Sequence, residues 1–235
     1  MIFATGFIAA VSAGLVMLMP DLSMSMTIFF IAMAICFIKK PGVALLIAGV
    51  SLILSVVYIS MFSEFASSRI ATWLDPFSDP LHHGWHTIQS LYNIAAGGVF
   101  GVGLGVGSEY QMKHVPNIES GYILSGISYQ LGLVGAVLIL VLLSLIAIRA
   151  ASIASKSKDS FAFYLAAGIS AKFAVSIILN TLIVVNLIPS ANFGGLPFIA
   201  FSGSSMILDF ICVGIVLNIS KYSMGVKSLS LVARR

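Results

Sequence analysis

The chain has 235 residues, of which 59% are hydrophobic and only 9% are charged, and its mean hydropathy is +1.09. Soluble domains carry about 25% charged residues, so this composition excludes a soluble globular protein and indicates an integral membrane protein. The formal charge of +4 is too small and too dispersed to indicate a nucleic-acid partner. Cys36 and Cys212 lie inside apolar stretches without metal-ligand spacing, and we interpret both as small apolar side chains.

Six stretches are long and apolar enough to cross a bilayer core about 30 Å thick. The predicted transmembrane helices are 2–19, 22–38, 42–62, 122–148, 161–187 and 197–219. A polar connector over 149–160 separates the fourth helix from the fifth. The sequence therefore predicts an all-α polytopic membrane protein, with 1–235 as a single membrane domain and 63–121 as a long loop.

The distribution of basic residues predicts which side of the membrane each loop faces. With the amino terminus in the cytoplasm, only Arg69 and Lys113 lie in an outer connection. The cytoplasmic side then holds Lys39, Lys40, Arg149, Lys156, Lys158, Lys221, Lys227, Arg234 and Arg235. Loop 63–121 is therefore expected outside, with both termini inside. No basic residue precedes the first helix, as expected of a chain that lacks its natural beginning.

Residues 88–107 are long enough to cross, but a crossing there would invert every later loop and break the charge asymmetry. Six glycines in this stretch also disfavour a regular span. We therefore predict a horizontal or re-entrant segment packed on the outer face, which is permitted where protein or a water-filled cavity covers the backbone.

The outer loop is rich in ionisable side chains and holds all four histidines, which indicates either a polar ligand there or simply a loop exposed to water. They include Arg69, Asp75, Asp79, His82, His83, His86, Glu109, Lys113, His114 and Glu119. The histidines lie in a stretch bounded by proline and glycine, so we predict no metal site from them. Asp75-Pro76 and Asp79-Pro80 are typical of turns. The glycine run at 101–107 follows no strand and lacks a phosphate-loop lysine, so it does not predict nucleotide binding.

Two charged residues lie within predicted helices. Lys172 and Asp209 are about 16 Å and about 15 Å from the cytoplasmic ends of their helices, at 1.5 Å per residue. Each isolated charge would cost about 2.5–3.5 kcal/mol at mid-membrane. Their shared depth on antiparallel neighbours predicts an ion pair. The alternative is that Lys172 extends toward the cytoplasm and Asp209 is protonated.

Four stretches together resemble the SEDS family, whose members include FtsW, RodA and SpoVE. They are Pro20-Asp21-Leu22, RIATWLDPFSDPLHHGWHTIQS at 69–90, GGVFGVGLG at 97–105, and Asn180 with Leu187-Ile188-Pro189 and LPFIAFSGSS at 196–205. The match is to the carboxy-terminal helices of the family, without its amino-terminal helices. The G-L-G and final G-S-S favour the division member over the elongation member, whereas Trp85-His86 favours the reverse; we take the division reading.

The resemblance implies a peptidoglycan glycosyltransferase in the bacterial inner membrane that polymerises lipid II beside a class B penicillin-binding transpeptidase. Such chemistry needs a carboxylate base and cationic or metal stabilisation of the departing pyrophosphate, for which a divalent cation such as Mg²⁺ or Mn²⁺ is one candidate. The substrate-binding residues implied are Arg69, Asp79, Gln89, Lys113, Asn180, Ser204 and Ser205.

The chain departs from the family at the catalytic carboxylate. The family pattern L-P-E-x-H-T-D-F places an aspartate where this chain has Gly121, and the nearest acid is Glu119. Since residues i and i+2 do not share a helix face, Glu119 can act as a substitute base only where the chain is non-helical. Three interpretations follow: an active polymerase, a catalytically inactive scaffold for a division transpeptidase, and a transporter of the lipid-linked precursor.

Overall fold

The computed structural model describes residues 22–39, 71–81, 84–105, 118–189 and 195–232. Regular structure in these ranges is helical throughout. The α-helices are α1 (Leu22–Lys39), α2 (Trp85–Gly97), α3 (Ile123–Lys156), α4 (Ser160–Val184) and α5 (Gly203–Val232), and a short 3-10 helix covers Pro76–Ser78. The predicted helices 2–19 and 42–62 lie outside the described residues.

Three of these helices are long and apolar enough to cross a membrane, namely α3, α4 and the Gly203–Tyr222 part of α5. The second half of α1, Ile28–Ile38, is a shorter apolar helix, and α1 packs against α4. The apolar residues Val134, Leu138, Val141 and Leu145 are exposed along one face of α3, as expected of a helix in contact with lipid. The chain is therefore an all-α polytopic membrane protein, which confirms the predicted fold class.

Three predicted helices have boundaries that differ from the structure. The helix predicted over 161–187 is α4, which ends at Val184. Helix α3 continues past 148 to Lys156, because Ala150, Ala151 and Ala154 are strong helix formers that extend it beyond the apolar run. The connector is thus only 157–159, and Asp159 caps α4 by accepting a hydrogen bond from the Ala162 N–H at 2.8 Å. Helix α5 begins at Gly203 instead of 197 and continues past 219 to Val232.

Helix α3 is interrupted at Gly132, which has φ 69° and ψ −173°. Residues 98–105, called here the glycine segment, lie alongside this break. Four backbone hydrogen bonds of 2.9–3.2 Å join them: Val102 N–H to Tyr129 O, Gly103 N–H to Gln130 O, Leu133 N–H to Gly98 O, and Val134 N–H to Val99 O. The peptide groups left unpaired by the break are therefore satisfied by the glycine segment, as an apolar environment requires.

Close backbone contact explains two of the glycines. A Cβ atom at Gly132 would overlap the carbonyl oxygen of Val99, and a Cβ atom at Gly101 would overlap that of Gln130. Both residues also have positive φ, which favours glycine.

Residues 88–107 do not form a spanning helix where they are described. Helix α2 has 13 residues and is about 20 Å long, which is shorter than a bilayer core. It packs against α3 and leads into the glycine segment. The described part of residues 88–107 therefore does not span the membrane, as the sequence predicts.

Candidate functional site: a pinned turn at the start of helix α3

Residues 118–122, called here the Glu119 turn, precede α3. The buried side chains of Ile118 and Tyr122 fix its two ends in the protein. Its backbone is held at two carbonyl groups: Glu119 O accepts from the Phe201 N–H at 2.7 Å, and Gly121 O accepts from Asn180 Nδ2 at 2.8 Å. Glu119 itself is exposed, so this turn presents a carboxylate from a fixed backbone.

Helix α2 contributes an aromatic contact to the same turn. The rings of His86 and Tyr122 stack with their centroids 5.9 Å apart and their planes at 6°. Ser90, one helical turn after His86, is fully buried, and its Oγ donates to Val184 O at 2.9 Å. Helix α2 is thus attached both to the Glu119 turn and to the end of α4.

Two buried polar atoms beside the turn have no hydrogen-bond partner within the described part of the chain. They are Asn180 Oδ1 and His86 Nδ1, and Asn180 is only 1% exposed. Buried polar groups are nearly always paired, so an unpaired atom on each side of the turn marks a polar region inside the bundle.

The segment between α4 and α5 packs against the Glu119 turn from the other side. A Cβ atom at Gly195 would overlap the carbonyl oxygen of Ser120, so the two backbones are in close contact there. Leu196 is buried, and Phe198 has φ 64°, which is uncommon for a residue with a side chain. Residues 195–202 therefore form a loop that enters the protein before α5 begins.

Asp209 holds this loop from within the bundle. Its Oδ2 accepts from the Phe198 N–H at 3.3 Å, and its Oδ1 accepts from Lys172 Nζ in an ion pair. Asp209 is 3% exposed, whereas the Lys172 side chain is 30% exposed. One carboxylate therefore connects α4, α5 and the loop that touches the Glu119 turn.

The structure brings some of the predicted site residues together. Glu119 and Asn180 meet at the Glu119 turn. Ser204 and Ser205 are exposed on the first turn of α5, where Ser202 Oγ donates to Ser205 Oγ at 3.1 Å. Gln89 is half-buried on α2. Arg69 and Lys113 lie outside the described residues.

Asp79 lies well before the Glu119 turn in the sequence. It follows the 3-10 helix, and its carbonyl oxygen accepts from the Gly84 N–H at 3.0 Å, which joins the Asp-Pro turns to the start of α2. Asp75 accepts from the Phe77 N–H at 3.1 Å as the predicted turn requires.

Sequence reasoning did not assign His86, Tyr122 or Phe201 to this site. The available signal was helical spacing, because His86 lies three residues before Gln89 and four before Ser90 and so shares their side of a helix. The contact of Phe201 with Glu119 is made by the backbone and has no signal in residue type.

Few metal-ligating side chains lie near the Glu119 turn among the described residues. Among the residues that the structure describes, no three His, Cys, Asp or Glu side chains lie close enough together to hold one. At the Glu119 turn the only carboxylate described is that of Glu119. The described residues by themselves therefore offer no ligand set for a protein-held divalent cation, and we derive no step through one.

The described residues thus define a helical membrane protein that presents an exposed carboxylate beside one end of its spans. The chain belongs to the FtsW/RodA/SpoVE family of cell cycle proteins, whose family model matches residues 1–225.

Three relatives illustrate the similarity. A probable peptidoglycan glycosyltransferase FtsW of Trichlorobacter lovleyi is 34% identical over 88% of this chain. Stage V sporulation protein E of Bacillus subtilis is 33% identical over 94%, and a peptidoglycan glycosyltransferase RodA of Mycobacterium tuberculosis is 32% identical over 89%. The chain spans 54%, 62% and 44% of the lengths of these relatives, respectively.

A solved structure has the same fold. It is a chain from a peptidoglycan synthase complex in which polymerization and crosslinking are coordinated, and it superposes with a TM-score of 0.73 at 20% identity. The match covers 93% of this chain and 61% of that one. The similarity therefore extends over the whole bundle described above.

Proposed function

We propose that the chain is, or forms part of, a peptidoglycan glycosyltransferase that polymerises lipid II during cell division. Family membership and the names of the FtsW and RodA relatives support this function. We place the protein in the bacterial inner membrane with both termini in the cytoplasm, because nine of its basic residues then lie inside and two outside.

The observation that carries the proposal is the exposed carboxylate of Glu119 on a turn fixed at two carbonyl groups. In glycosyl transfer a base takes the proton from the attacking sugar hydroxyl while the sugar–pyrophosphate bond breaks. Residues 118–122 are a turn and α3 starts at Ile123. The rule that residues i and i+2 face different sides of a helix therefore does not apply to Glu119 and Gly121. The Glu119 carboxylate can then take the place of a side chain that Gly121 lacks.

The remaining predicted residues have supporting roles in this mechanism. Arg69 and Lys113 supply positive charge for the departing pyrophosphate. Gln89, Asp79, Ser204 and Ser205 bear amide, carboxylate and hydroxyl groups suited to sugar hydroxyls. Asn180 acts through the backbone, because its amide fixes the Gly121 carbonyl and with it the direction in which Glu119 points.

We further propose a class B penicillin-binding transpeptidase as the protein partner. The support is the solved structure with the same fold, which comes from a complex that couples polymerization with crosslinking.

One observation favours an inactive scaffold as the second candidate. The family's catalytic aspartate position is Gly121, which bears no titratable group. In this alternative the fold is retained to hold the transpeptidase, and Glu119 has no chemical role.

Labelled lipid II presented to the purified full chain separates these candidates. An active enzyme makes polymer that Glu119→Gln abolishes, whereas the matched variant Asp159→Asn, which removes an exposed carboxylate at the opposite end of the bundle, leaves the yield unchanged. A decayed enzyme makes no polymer until Gly121→Asp restores a carboxylate. Polymer that survives Glu119→Gln would exclude Glu119 as the base.

A further inference from the structure

A cavity of about 480 Å³ lies at the end of the bundle opposite the Glu119 turn. It opens between the start of α4 and the last part of the α5 span. Its inner wall is apolar and includes Leu165, Ile215 and Ile219. Leu165 and Ile215 also pack against the buried core at this end, so the wall is part of the packed bundle.

The mouth of the cavity is polar. Lys158 in the short connector after α3 and Asn218 and Tyr222 on α5 line it, and all three are exposed. The carboxylate of Asp159, which also lines the mouth, is engaged as the cap of α4 through the Ala162 N–H. Lys158 makes no ion pair with the residues that the structure describes, so its ammonium group is available to a ligand.

The position of the cavity matches the boundary between hydrocarbon and headgroups. The apolar run of α3 ends at Arg149, and Lys156, Lys158 and Lys221 all lie near this end of the bundle. Tyr222, which is 71% exposed, lies where tyrosine is enriched in membrane proteins. By the charge asymmetry this boundary is the cytoplasmic one, whose leaflet is rich in anionic lipid.

We propose that this cavity binds an anionic phospholipid of the cytoplasmic leaflet. The lipid phosphate accepts hydrogen bonds from the Lys158 ammonium, the Asn218 amide and the Tyr222 hydroxyl, and one acyl chain lies along Leu165, Ile215 and Ile219. An amphipathic wall with a cationic mouth matches the two halves of such a molecule. The site is independent of the chemistry at the Glu119 turn.

Native mass spectrometry of the purified full chain titrated with phosphatidylglycerol or phosphatidylcholine tests the proposal. Phosphatidylglycerol is expected to bind preferentially. Lys158→Gln should lower its association constant about fivefold, the equivalent of about 1 kcal/mol for one lysine near an anionic surface. Arg149→Gln is the matched control, because Arg149 is an exposed cation near the same end that does not line the cavity.

Filling the cavity tests the apolar half separately. Ile215→Trp leaves the charge unchanged and should weaken phosphatidylglycerol binding, with thermal unfolding in detergent showing that the bundle remains folded. Equal losses in Lys158→Gln and Arg149→Gln would overturn the proposal in favour of general charge attraction. The proposal would also be overturned if inorganic phosphate displaced the lipid. It would likewise be overturned if Ile215→Trp bound the lipid as tightly as the unchanged chain, since the lipid would then not lie in this cavity.

Discussion

Asn180 donates its side-chain amide to the carbonyl oxygen of Gly121 at 2.8 Å, across 59 positions of sequence. Asn180 lies on α4 and is almost completely buried, whereas Gly121 belongs to the Glu119 turn, in which the side chain of Glu119 is exposed. The conformation of the backbone that carries Glu119 therefore depends on a side chain inside the bundle.

Replacing Asn180 with alanine should release the Glu119 turn and destabilise the protein. The loss leaves the half-buried Gly121 carbonyl without its donor, which costs about 1 kcal/mol, the lower end of the range for a buried group. We expect a lower unfolding temperature in detergent and, if the chain polymerises lipid II, a lower rate.

Ser160→Ala is the control for this change, because Ser160 is an exposed polar residue on the same helix. An unfolding temperature for Asn180→Ala equal to that of Ser160→Ala would show that the bond to Gly121 contributes nothing.

Single substitutions of the ion pair should be more damaging. Lys172→Asp or Asp209→Lys leaves like charges together inside the bundle, and breaking a buried pair costs about 3–5 kcal/mol. Each single variant should therefore accumulate poorly in membranes, as measured by immunoblot against the unchanged chain.

The double variant with the two charges exchanged should recover most of this accumulation. Recovery should be incomplete, because a lysine at position 209 cannot accept the hydrogen bond from the Phe198 N–H. A double variant no better than either single variant would contradict the pairing as a source of stability.

The break in α3 should not tolerate a side chain. Gly132→Ala places a Cβ atom on the Val99 carbonyl oxygen and must separate the glycine segment from α3, so we expect a marked loss of thermal stability.

Gly214→Ala provides the contrast, because open space surrounds Gly214 on α5. Alanine there should be neutral or stabilising by up to about 1 kcal/mol, the usual gain over glycine in a helix. If both alanine variants melted alike, close packing at Gly132 would be refuted.

Labelling of single cysteines should report the predicted orientation. Ser204→Cys and Ser155→Cys are both exposed near opposite ends of the bundle, and Cys36 and Cys212 are replaced by alanine in this background. A membrane-impermeant maleimide should react with the cysteine at 204 in intact cells and with that at 155 only after lysis. The reverse pattern would invert the assigned topology.

Depth along a helix was enough to predict that Lys172 and Asp209 would be neighbours, and the structure contains that contact. The second bond of Asp209, to the Phe198 N–H, could not be predicted in this way. It depends on a left-handed residue in a loop that apolar content alone assigns to a helix, which is why α5 starts later than expected.

The hydropathy of the sequence also could not predict the interruption of α3 at Gly132. Residues 122–148 are a predominantly apolar stretch with three glycines, and each glycine costs a helix only about 1 kcal/mol. The partner that makes the break favourable is the glycine segment, whose role depends on backbone hydrogen bonds and not on any side chain. The sequence did indicate that this segment does not span, through its glycines and the charge balance.

The hydrogen bonds between the glycine segment and α3 also constrain how the protein is made. Unsatisfied peptide groups are costly in lipid. Helix α3 therefore cannot adopt its interrupted conformation at Gly132 before residues 98–105 are in place. Those residues leave the ribosome first, and synthesis from the amino end therefore supplies the complement of the break before the helix that needs it.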